Sequence, residues 1–97
     1  MIYTTHAIDR CKQRAIPLEV VQLILSLGEG VDSGGGAKIY ALLSKIEKAE
    51  FVFELKAIGM KPKEKWSNIY LVITSDQVII TAGYRRKRIK EAYRTWH

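Results

Sequence analysis

Apolar residues over the first 28 positions recur at helical spacing and predict two helices. The first covers residues 5–15 after a threonine N-cap, and at about 100° per residue it divides into a polar stripe and an apolar side. Pro17 ends it, because a proline pushes the preceding residue out of the α region, and suits the first turn of the next helix. That second helix covers residues 17–27, is apolar on most sides, and ends at Gly28, in the position that favours left-handed backbone. The pattern predicts an amphipathic helix followed by a buried one.

Three segments further along the chain lack clear helical spacing. Residues 28–36 are rich in glycine and predict a flexible loop with a short strand near Val31. They match no phosphate-binding glycine motif, so no nucleotide cofactor is expected. Residues 37–43 predict a strand, and residues 61–67 predict a charged surface connection.

A third helix is predicted over residues 44–59. Ser44 and Glu47 have the spacing of a capping box, and apolar residues follow at helical intervals until Gly59. Residues 51–55 also alternate between apolar and other positions, as a strand does. That alternation leaves a strand as the alternative for this segment.

The strongest strand signal comes from residues 68–74 and 77–84, which are rich in Ile, Val, Tyr and Thr. Ser75 and Asp76 lie between them as a two-residue link, which predicts an antiparallel hairpin. In the second strand, the even-numbered positions from Val78 onward are expected to share the buried face.

Together these signals predict one α+β domain over residues 1–97. Two N-terminal helices pack on an antiparallel sheet, with an additional mid-chain helix and a short basic C-terminal helix over residues 85–94. The residues expected to be largely buried are Val20, Ile24, Leu27, Phe53, Leu71, Ile73, Val78 and Ile80.

Composition places the chain among soluble globular domains, with 97 residues, of which 47% are hydrophobic and 27% charged. Its longest apolar runs are too short to cross a bilayer, and no secretory signal opens it, so no membrane association is expected. The single cysteine, Cys11, excludes an internal disulfide and indicates a cytoplasmic location. Cys11 falls on the apolar side of the first helix and is predicted to be a small buried hydrophobe.

The net charge of +6 is concentrated at the end of the chain, where the last 14 residues carry +5 and the first 83 carry +1. Such a local field attracts polyanions, nucleic acid above all. An acidic protein partner and simple solubility are the alternatives. The residues expected to bind nucleic acid are Arg85, Arg86, Lys87, Arg88, Lys90 and Arg94.

The polar stripe of the first helix supplies the candidate chemistry. A histidine transfers protons near neutral pH, and arginine binds phosphate oxygens in a forked geometry. The chain has no metal-ligand spacing, so no metal is expected, and metal-free RNA cleavage is the reaction with a concrete mechanism. The candidate catalytic residues are His6, Arg10, Arg14, Thr81 and Tyr84. The alternative is that His6 bonds the backbone and the arginines pair with nearby acids.

Three segments carry a family resemblance: Thr5-His6-Ala7-x-x-Arg10-x-x-x-Arg14-x-Ile16-Pro17, then Val78-Ile79-Ile80-Thr81, then Thr81-Ala82-Gly83-Tyr84-Arg85-Arg86. They resemble small bacterial proteins of domain-of-unknown-function family 4258, which look like members of the RelE-like group of toxin folds. This resemblance implies two helices on an antiparallel sheet, with His6, Arg10 and Arg14 facing a groove beside the strand that bears Thr81. The predicted helix at 44–59 departs from the tight meander of that family.

Several proteins of the RelE-like group are ribonucleases, and some are toxins paired with an antitoxin. The resemblance therefore implies a metal-independent endoribonuclease of toxin type, with RNA as substrate and an acidic antitoxin-like protein as partner. A non-catalytic RNA- or DNA-binding protein, and a module that binds an acidic protein, are the two alternatives.

Overall fold

In the computed structural model, which describes residues 2–85, helices lie on one face of a five-stranded sheet. The elements in chain order are β1 (Ile2–Tyr3), α1 (Thr5–Gln13), α2 (Leu18–Leu27), β2 (Glu29–Gly34), β3 (Ala37–Ala41), α3 (Lys45–Ala57), a 3-10 helix (Glu64–Asn68), β4 (Ile69–Thr74) and β5 (Val78–Tyr84). Helix α1 packs along β5, α2 contacts β3, and α3 packs on α2. The α+β class is confirmed, whereas the predicted helix at 85–94 lies outside the described residues apart from Arg85.

The strand order is β1-β5-β4-β3-β2, and every pairing is antiparallel except that of β1 with β5. The predicted hairpin of β4 and β5 is confirmed, but the sheet is mixed rather than wholly antiparallel. Its parallel edge comes from Ile2 and Tyr3, which pair with Val78 and Ile79. Two residues are too short a segment for alternation to be read from the sequence.

Side-chain caps explain where α1 and α3 begin. Thr4 accepts a hydrogen bond from the amide of Ala7, and Ser44 and Glu47 form a complete capping box. The predicted mid-chain helix is therefore confirmed, and the strand alternative for residues 51–55 is wrong. On α3, Phe51 and Leu55 are buried four residues apart.

The predicted short strand near Val31 is confirmed, because β2 covers Glu29–Gly34, and a tight turn follows it instead of a long loop. Gly34, the last residue of β2, and the two turn residues Gly35 and Gly36 all have positive φ, and the ladder of β2 with β3 holds the segment in place. Gly28 ends α2 with φ −82°, which is not left-handed. A side chain is excluded there by space instead, because a Cβ atom would lie 2.6 Å from the carbonyl oxygens of Ala41 and Ile24.

A bulge in β5 changes which of its residues are buried. Val72 pairs with Thr81 and Ile73 pairs with Ile79, so Ile80 is the extra residue. Ile79 is therefore fully buried. Of the predicted core, Val78 and Ile80 are only half-buried, as is Leu27 on α2. The link before β5 has three residues rather than two, and its last residue, Gln77, has φ 65°.

Four of the eight residues predicted for the core are buried. The predicted core residues that are buried are Val20, Ile24, Leu71 and Ile73, and Cys11 is also buried, as expected. Phe53 is 69% exposed, because it lies on the side of α3 away from Phe51 and Leu55. The charged connection at 61–67 contains a 3-10 helix that buries Trp66. Within residues 2–85, no helix is long and apolar enough to cross a membrane.

Candidate functional site

The start of α1 is attached to β5 by Thr4. Its amide donates to the carbonyl of Ile79 at 3.0 Å, and its hydroxyl donates to the carbonyl of Ile80 at 3.4 Å. The first turn of α1 contains no acidic residue. No carboxylate of that turn therefore offsets the partial positive charge of its unpaired amides, and this charge favours anions near the helix start.

Three polar side chains of α1 form a connected row on its surface, which we call the His6 stripe. Arg10 donates from Nε to Nε2 of His6 at 3.4 Å and from Nη1 to Oε1 of Gln13 at 3.2 Å. His6 and Gln13 are exposed, and Arg10 is half-buried. In this contact Nε2 of His6 is the hydrogen-bond acceptor. The stripe thus pairs an imidazole nitrogen with a guanidinium on an open surface.

Arg14 and Tyr84 lie together at the other end of α1. The Tyr84 hydroxyl donates to the carbonyl of Arg14 at 2.9 Å. Burial raises the pKa of Tyr84, and the nearby Arg14 charge opposes that rise in part. Nζ of Lys65 lies 5.5 Å from the centre of the Tyr84 ring. Because the hydroxyl is already donated to the backbone and holds its proton more tightly, Tyr84 fastens the end of α1 to β5.

Thr81 lies on the other face of the sheet. It pairs with Val72, whereas Leu71 and Ile73, the neighbours of Val72, face the core under the helices. Alternation along β4 therefore places Thr81 away from the helix-covered face. The structure brings His6 together with Arg10, and Arg14 together with Tyr84, but it does not join Thr81 to either pair.

Arg85 is directed into the protein rather than outward. Its Nη2 donates to the carbonyl of Leu42 at 2.6 Å and lies 3.5 Å from the carbonyl of Ser67. Its amide also donates to the carbonyl of Asn68. Arg85 therefore joins the residue after β5 to the segment that follows β3 and to the end of the 3-10 helix. The other predicted nucleic-acid contacts, Arg86, Lys87, Arg88, Lys90 and Arg94, lie outside the described residues.

A groove beside the 3-10 helix escaped prediction, because the segment around Trp66 is dominated by charge. Trp66 is buried, and Nζ of Lys63 lies 5.5 Å from the centre of its ring. A single tryptophan among lysines was the available signal, since so large an apolar ring is seldom left in solvent. Ile8 and Leu18 also line this groove.

Cys11 lies beneath the candidate site and is not a candidate nucleophile. It is buried, and burial raises the pKa of its thiol, while the Arg14 charge opposes that effect. A protonated buried thiol is a poor nucleophile.

No group of three or more His, Cys, Asp or Glu side chains within residues 2–85 is arranged to hold a metal ion. No protein-family model, curated protein or solved structure matches this chain, so the resemblance to family 4258 and the RelE-like fold stays a prediction.

Proposed function

We propose that this protein acts on RNA through the His6 stripe, as a metal-independent endoribonuclease of toxin type. One observation carries the proposal, which is the 3.4 Å contact between Nε2 of His6 and Nε of Arg10 on an exposed helix surface. A base and a guanidinium side by side are the two groups that RNA transesterification needs first.

Nε2 of His6 exchanges its contact with Arg10 for a ribose 2′-hydroxyl and takes the proton of that hydroxyl. The 2′ oxygen then bonds to the adjacent phosphorus, and the bond from phosphorus to the 5′ oxygen breaks. That leaving oxygen takes a proton from solvent, and the product strand ends in a 2′,3′-cyclic phosphate. Arg10 neutralises charge on the phosphoryl oxygens, which grows as the fifth bond to phosphorus forms.

Electrostatics support RNA as the ligand of this surface. The stripe contains the guanidinium of Arg10, the first turn of α1 has no acidic residue, and the amides of that turn favour phosphate. The exposed position of His6 suits a flexible single strand, which can bring a ribose to the helix surface.

The test compares cleavage of a mixed-sequence RNA by wild type, His6→Ala and Arg10→Ala in the presence of EDTA. We expect His6→Ala to lower the cleavage rate about 10²–10⁴-fold with nearly unchanged binding, because a proton-transfer group contributes that much to the rate. Arg10→Ala is expected to weaken both binding and cleavage. Lys56→Ala is the matched control, since Lys56 is an exposed cation in the last turn of another helix, α3.

Two results would reject this proposal. Equal cleavage by wild type and a folded His6→Ala variant would remove His6 as the base. Salt-sensitive binding without any cleavage by wild type would instead identify a non-catalytic RNA- or DNA-binding protein, because phosphate contacts release counterions.

A further inference from the structure

An apolar groove of about 630 Å³ runs between α1, the α1–α2 corner and the 3-10 helix. Its volume is within the range of about 300–1,000 Å³ that is usual for ligand sites. The buried Trp66 lines it together with Ile8 and Leu18, which are 39% and 49% exposed. Covering large apolar side chains that are exposed to water lowers the free energy, so such a surface favours a binding partner.

The charge at this groove has one sign. Of the ten residues that line it, Lys12 and Lys63 are the charged ones, and both are exposed. Among the described residues that line the groove, none has a carboxylate that could neutralise these two ammonium groups. The walls thus favour apolar side chains, while the two ammonium groups favour carboxylates beside them.

We infer that this groove binds a short apolar segment of an acidic partner protein, with Ile8, Leu18 and Trp66 contacting its apolar side chains and Lys12 and Lys63 its carboxylates. A partner of this chemistry is favoured over RNA, because RNA offers phosphates to the lysines but leaves the apolar walls without an apolar partner.

The groove is separate from the His6 stripe. At about 100° per residue, Ile8 and Lys12 lie on the side of α1 opposite His6 and Arg10. A segment bound in the groove would therefore leave the His6 stripe accessible. Binding at the groove does not depend on the proposed RNA cleavage.

The experiment selects 16-residue random peptides displayed on phage against the full chain, and then measures the Kd of each enriched synthetic peptide. We expect the enriched sequences to combine apolar residues with an excess of Asp and Glu. Their affinity should fall at least about tenfold for Leu18→Glu, which removes a central apolar contact, and for Lys63→Glu, which reverses a rim charge.

Matched controls separate the groove from general surface effects. Ile46→Glu changes a 72% exposed apolar residue on α3, and Lys56→Glu reverses a charge on the same helix, so both should bind the peptides as wild type does. Leu18 lies in the first turn of α2, where a glutamate is compatible with the helix, so the variant is expected to fold. Thermal unfolding checks that expectation, and Ile8→Glu replaces Leu18→Glu if it fails.

Several outcomes would overturn the inference. They are the absence of any enriched peptide, enrichment of basic or purely neutral peptides, and equal affinity for Leu18→Glu and Ile46→Glu. Displacement of the peptides by a 20-nucleotide RNA would assign the groove to nucleic acid instead. Self-association of wild type that Leu18→Glu abolishes would assign it to a second copy of the chain.

Discussion

Replacing Ile79 and Ile80 in turn tests the bulge that decides which side of β5 faces the core. The two substitutions to alanine remove the same atoms and change strand propensity equally, so their difference reports burial. Ile79 is 0% exposed, whereas Ile80 is the extra residue of the bulge and is half-buried.

The cost of Ile79→Ala follows from the carbons removed. Three buried carbons at about 0.8 kcal/mol each account for about 2.4 kcal/mol, and the cavity left behind brings the total within about 2–5 kcal/mol. That is a large part of the stability of a domain of this size, about 5–15 kcal/mol. Ile80→Ala is expected to cost less than half as much.

The assay is urea unfolding followed by circular dichroism, with the free energy of unfolding extrapolated to water for each variant. If Ile80→Ala costs as much as Ile79→Ala or more, the bulge is misplaced. The strict alternation of Val78, Ile80 and Ala82 toward the core would then hold.

Two further predictions concern the residues beneath the candidate site. Tyr84→Phe removes the hydrogen bond to the carbonyl of Arg14, so the free energy of unfolding in urea should fall by about 0.5–1.5 kcal/mol. Amide hydrogen exchange at the end of α1 should also become faster. Unchanged exchange would contradict the role of Tyr84 in holding α1 to β5. Burial raises the pKa values of Tyr3, Cys11 and Tyr84, so the folded protein holds these protons to higher pH than the unfolded chain. The contribution of these groups to the free energy of unfolding is therefore fully present below the ordinary thiol pKa of 9.0 and decreases as pH rises above it. Urea midpoints measured between pH 7 and 10.5 should decrease less steeply for Cys11→Ala than for wild type. A midpoint that rises with pH would contradict this sign.

The helices could be predicted from the sequence because their signals are local. Thr4, Pro17 and the pair Ser44 and Glu47 each act within one turn of the helix they limit, and the structure uses them in that way. The hairpin of β4 and β5 could be predicted equally well, since β-branched residues fill both strands.

The errors came from contacts between distant parts of the chain. The short β1 exists only because β5 offers it an edge, and the bulge at Ile80 is set by how β5 meets β4. The same limit applies to the site. Helical spacing correctly placed His6 and Arg10 on one side of α1, but the sheet face of Thr81 depends on the register after the bulge.

The most direct test of the proposed RNA chemistry is mass spectrometry of the products formed from a defined RNA in EDTA. Wild type should leave 2′,3′-cyclic phosphate ends, because His6 activates the 2′-hydroxyl, and His6→Ala should yield almost none in the same time. Products that end in a 3′-hydroxyl, or cyclic phosphate ends formed equally by the folded His6→Ala variant, would contradict the proposed role of His6.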